Sequence, residues 1–148
     1  MNELKDFSIS TDLMIRLEDA NRKIGDVNVN DSPLLQRDLN ELYSILSEKM
    51  AGAELTHARA KTESEKQYAL ALLERSQGYF DIKGTKPTDT LRKAYADIDP
   101  EYLKAKDEES KAKAFLTYLQ GKLQTAQQGY YSSKRVFEKS SNLSVIKE

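Results

Sequence analysis

The chain has 148 residues, 39% hydrophobic and 32% charged, a balance that suits one domain of long helices with one buried stripe better than a globule. With 23 basic and 24 acidic residues the net charge is −1, so overall charge cannot drive binding to a polyanion or a membrane and only a local patch could. Cysteine is absent, which excludes disulfides and thiolate metal sites.

Residues 1–9 read as a loose arm with Leu4, Phe7 and Ile9 available for docking. Their start, Met1 to Asp6, has no charged-then-apolar signal design. The longest apolar run, Tyr68 to Leu73, is too short to span a bilayer, so a cytoplasmic protein with no membrane partner is expected. Ser10 or Thr11 can cap a short first helix over 10–25. Asp12 sits favourably in its first turn, and Leu13, Leu17, Ala20 and Ile24 follow at 4-3-4 spacing up to Gly25. A polar linker, Asp26 to Asp31, comes next.

Ser32-Pro33 starts a long helix, expected over 33–81 and about 70 Å in length. Leu35, Leu39, Leu42, Leu46, Met50, Ala53, His57 and Ala60 form its stripe. From His57 to Gln67 the stripe turns polar, which marks a weak point or a face closed by oligomerisation. Lys83-Gly84-Thr85-Lys86-Pro87 breaks the helix. Thr88-Asp89 caps a short segment, Thr90 to Asp97, with Leu91, Ala94 and Tyr95 on one side, inside a turn region over 82–99. Asp99-Pro100 starts the closing helix, expected over 100–141 with a frayed tail over 142–148, and the residue before proline bends the chain.

That closing helix carries the strongest pattern in the chain. Tyr102, Ala105, Glu109, Ala112, Leu116, Leu119, Leu123, Ala126, Tyr130, Ser133 and Phe137 are spaced 3-4-3-4, and all but Glu109 and Ser133 are apolar or aromatic. Such a seam needs a partner helix. The two long segments match in length across a short connection. The expected fold is therefore all-α: a single helical domain over 1–148, built as an elongated antiparallel hairpin or coiled coil with a short N-terminal helix. Matching the ends places Tyr43 near Phe137, Leu72 near Glu109, and Gly52 beside Gly129, where a close helix approach or a local kink would explain the glycines. Phe115, Tyr118, Ile45 and Leu70 fall off the main seam, which leads us to expect a homo-oligomer.

Chemistry has few candidates. His57 is the only histidine and has no identifiable acid–base partners. Asp107, Glu108 and Glu109 are consecutive on a helix and so point in different directions, as a solvated face does. Gly84-Thr85-Lys86 lacks the spacing of a phosphate-binding loop. A non-enzyme without cofactor or small-molecule substrate is expected. Lys83, Lys86, Arg92 and Lys93 gather at the turn, with Tyr79, Phe80 and Tyr95 beside them. Cations that hold phosphates and rings that stack bases suit single-stranded nucleic acid, whereas the bland reading is a solvated turn with core-facing aromatics. Tyr130, Tyr131, Lys134, Arg135 and Lys139 form a further basic group, one that also suits a helix C-terminus.

The order of a long helix, Tyr79-Phe80, Lys83-Gly84-Thr85-Lys86-Pro87-Thr88, Leu91-Arg92-Lys93-Ala94 and a long closing helix resembles phage recombination mediators of the UvsY type. The similarity is one of arrangement and covers about residues 66–137. It implies an all-helical oligomer in the host cytoplasm that binds single-stranded DNA and helps a recombinase or replication protein. The site would be Lys83, Lys86, Arg92, Lys93 and Tyr95, with Arg75 just upstream. The alternative from the residues alone is a structural or adaptor coiled coil, such as a virion component or protein-binding module, that binds no nucleic acid.

Overall fold

The computed structural model describes residues 9–25 and 32–145; residues 1–8 of the arm, the polar linker and the last three residues lie outside them. All described secondary structure is helical. The elements are α1 (Thr11–Gly25), α2 (Ser32–Leu70), a π turn (Ala71–Arg75), α3 (Ser76–Ile82), α4 (Asp89–Ile98) and α5 (Pro100–Val145). The long helices α2 and α5 pack together. The chain divides into two compact units, one up to Gly52 and again from Thr117, the other Ala53–Leu116.

In the first unit α1 packs on the early part of α2 and the later part of α5. Ser10 Oγ accepts from the Leu13 amide at 3.3 Å, which satisfies one of the free donors at the start of α1. Leu13, Leu17 and Ala20 are buried, as are Leu35, Leu39, Leu42 and Leu46 from α2 and Leu119 and Ala126 from α5. Each leucine contributes about 1.5–3 kcal/mol by leaving water. Arg16 ties α1 to α2 through Asp38 at 2.8 Å and Glu41 at 3.3 Å. These groups are partly exposed, so each pair adds no more than about 1 kcal/mol. Tyr118 Oη meets Met14 Sδ at 3.2 Å, so this off-seam ring has a partner within its own chain.

The seam of α5 is buried along one column. Ala112, Leu119, Ala126 and Ser133 are all at 1% exposure or less, while Leu116, Leu123 and Tyr130 are half-buried. The two polar exceptions are both satisfied. Ser133 Oγ donates to the Tyr130 carbonyl at 2.8 Å. Glu109 accepts from Ser64 Oγ at 2.6 Å and from Lys106 Nζ at 2.8 Å. The Lys106 bond, then the Ser64 bond, hold its carboxyl below the ordinary range. Ser64 is buried in the polar stretch of α2, so a hydrogen bond replaces apolar packing there.

In the second unit α2 and α5 run antiparallel, since Ser64 meets Glu109 and Tyr68 meets Tyr102 edge-on at 5.0 Å. This corrects the register expected from matching the ends. Glu109 faces Ser64 rather than Leu72, a slide of about two turns. The glycine reading is corrected as well. Gly52 is exposed, and a Cβ there would meet nothing within 4 Å, so no close approach requires it. At the other end α5 continues to Val145, because Ser140, Ser141 and Asn142 are weak helix formers rather than breakers.

Helix α3 ends as the turn chemistry requires. Gly84 adopts φ 63°, the Thr85 amide donates to the Phe80 carbonyl at 3.0 Å, and the Gly84 amide donates to Asp81 at 3.1 Å. This is a Schellman motif with glycine at the left-handed position. Gly84→Ala is expected to lower stability by roughly 1–2 kcal/mol with helix content unchanged. A urea midpoint equal to wild type would show that the turn does not need this conformation.

Candidate functional site

Arg75 in the π turn and Lys83, Lys86, Arg92, Lys93 and Tyr95 between α3 and α5 all lie within the second unit. Two devices build the corner between α3 and α5. Thr88, in an extended conformation, accepts from the Leu91 amide at 3.3 Å and so starts α4. Asp99, extended at ψ 125° as a residue before proline must be, ends α4 and starts α5. Its Oδ1 accepts from the Tyr102 amide at 2.9 Å, and the Leu103 amide donates to its carbonyl at 2.9 Å.

Arg75 is committed to this corner. Its Nε and Nη2 clamp Asp99 at 2.9 and 2.7 Å, while Nη1 and Nη2 reach the side chain and carbonyl of Gln67 at 3.1 and 2.9 Å. Asp99 is 2% exposed. Burial alone would raise its carboxyl, but the bonds from Arg75 and from the Tyr102 and Glu101 amides outweigh it and hold the group below its ordinary value. A planar fork on a buried carboxylate is a structural clamp. Arg75 therefore fixes the corner, and its guanidinium is turned to the protein.

The π turn makes this possible. The Ser76 amide donates to the Ala71 carbonyl, five residues back, so the turn is one residue wider than an α turn. Ala71, Ser76 and Ala96 are all fully buried, and these small side chains let α4 lie against the turn. Ser76 Oγ donates to the Leu72 carbonyl at 2.6 Å.

The remaining candidates divide. Arg92 is half-buried and donates to Gln77 Oε1 at 2.6 Å. Lys83 Nζ sits 4.6 Å from the centre of the Tyr79 ring, a cation–π contact. Tyr79 packs on Phe80 at 5.1 Å and on Tyr95 at 5.2 Å, and Tyr95 is half-buried. Lys86 and Lys93 are exposed. So are Asp81, Asp89 and Asp97, which places three exposed aspartates among three exposed lysines over residues 81–97. Arg92 adds a fourth cation to that span, so the aspartates offset most but not all of its positive charge.

Helix α4 presents its apolar side outward. Ala96 is buried against the turn, whereas Ala94 is exposed and Leu91 and Ile98 are 42% and 70% exposed. Ile82, at the end of α3, is 90% exposed. The sequence places Leu91 and Ala94 on one side of α4 but does not say which side faces in. Asp99 reads from sequence as a cap, and its second role, as partner to Arg75 across 24 positions, leaves no local signal.

Elsewhere, Lys111 bridges Asp107 at 2.6 Å and Glu108 at 3.1 Å, and Tyr130 packs edge-on to Tyr131 at 5.7 Å. Among the described residues no group of acidic or histidine side chains could hold a metal ion, and no helix is long and apolar enough to cross a membrane. Comparison with protein-family models, with curated proteins and with solved structures gives no significant match.

Proposed function

We propose that this chain is a non-catalytic structural or adaptor protein that docks another amphipathic helix at the α3–α4 corner. The observation that carries this reading is the orientation of α4. Its apolar stripe faces outward, while Arg75 and Arg92 are occupied by internal hydrogen bonds. A helical stripe at i, i+3, i+7 spacing is how helices are recognised by other helices. Three exposed aspartates interspersed among the cations suit a protein partner better than a polyphosphate.

A second reading, a phage-type accessory protein that binds single-stranded DNA, draws on one contact. Lys83 over Tyr79, with Tyr95 alongside, is a cation beside stackable rings. Titrating a labelled oligothymidine at low salt separates the two. The adaptor reading expects no binding. Binding that weakens with salt, and whose log–log salt slope flattens by about two units when Lys83, Lys86 and Lys93 become alanine, would overturn it in favour of DNA.

A further inference from the structure

The chain passes between its two compact units twice, just after Gly52 in α2 and just before Thr117 in α5, and both passages run through continuous helix. Each helix carries an exposed glycine at this boundary, Gly52 in α2 and Gly121 one turn past the crossing in α5. Gly52 lies twelve residues before Ser64 and Gly121 twelve after Glu109, so the two stand at the same count from the pair that fixes the register. Packing does not ask for a glycine at either place, because a Cβ would meet nothing within 4 Å. Alanine would hold both helices better, since glycine leaves the backbone freer. We propose that Gly52 and Gly121 together form a hinge, about which the second unit tilts against the first while both helices stay intact.

The neighbouring residues fit that role. A threonine follows each glycine by four positions, Thr56 and Thr125. Thr125 Oγ1 donates to the Gly121 carbonyl at 2.9 Å, a back-bond of the kind that bends helices. A bend in a passage made of two helices has to be taken up by both, because a single glycine would leave the other helix as a strut. Ala53 and Leu119, within two residues of the glycines, are buried, so the hinge leaves the seam closed. The corner that carries α4 belongs to the second unit, so the hinge aims that surface whichever partner it takes.

Amide residual dipolar couplings in a weakly aligning medium test this, because a rigid molecule fits one alignment tensor. For wild type, couplings fitted unit by unit should give tensors of unequal size. In the double variant Gly52→Ala/Gly121→Ala the two tensors should converge, and the melting midpoint should rise by about 2–4 °C per glycine replaced. Gly78→Ala, in α3 of the second unit, is the control. A Cβ there also meets open space, so the midpoint should rise as much while the tensors stay unequal. Wild-type units that share one tensor, a double variant whose tensors stay unequal or that melts lower, or a control that equalises them would each overturn the proposal.

Discussion

Replacing Leu119 by alanine is expected to lower the melting midpoint by about 10 °C, from a loss of about 2–5 kcal/mol. Leu119 is fully buried in the middle of α5, between two other closed seam positions, Ala112 and Ala126. Those alanines are too small to fill the space a truncated leucine leaves. The loss therefore includes a cavity as well as the transfer of the side chain. Lys104→Ala, on an exposed part of the same helix, is the control and should move the midpoint by no more than about 0.5 kcal/mol. Equal shifts for the two variants would show that the seam does not close at Leu119.

The second large effect is expected at Asp99. Asp99→Ala removes the acceptor of the Tyr102 amide and leaves Arg75 without its carboxylate. Breaking a buried pair typically costs 3–5 kcal/mol, and with Arg75 29% exposed we expect about 3 kcal/mol. Asp99→Asn keeps an acceptor for the amide and should lose less. The pH dependence has a definite sign. The folded carboxyl titrates below its ordinary value, so its contribution is full above that value, 3.8, and fades as pH falls through the lower, folded value. The stability difference between wild type and Asp99→Asn should be constant from neutrality to about pH 5 and shrink below pH 4. A difference that persists undiminished at pH 2 would assign the effect to packing instead.

Much of the fold was legible because its punctuation is local. Ser10, Ser32-Pro33, Thr88 and Asp99-Pro100 each mark a helix start within a residue or two, and Gly84 marks the stop of α3. A cap or a left-handed turn needs only neighbouring atoms, and so leaves its mark in neighbouring residues. The packing offset was not legible. A heptad seam looks much the same after a slide of seven residues, and only the long-range pairs Ser64–Glu109 and Tyr68–Tyr102 fix it. The candidate site was half legible. Lys83, Tyr79 and Tyr95 do pack together, but Arg75 points inward because its partner is decided by tertiary structure. Periodicity located the stripe of α4 but could not tell inside from outside.

The π turn has a consequence for how substitutions along this chain should be compared. It works as a phase shifter: one extra residue in a helical turn delays every later side chain by about 100°. The residue seven beyond buried Ala71 is Gly78, which is exposed. Half-buried Tyr68, before the shift, instead finds its counterpart eight residues on in buried Ser76, and Leu72, at the start of the turn, finds its own in buried Phe80. A helical wheel drawn through α2 thus mislabels the faces of α3, and rules of tolerance learned on one side of Ala71–Arg75 must be rotated before they are applied to the other.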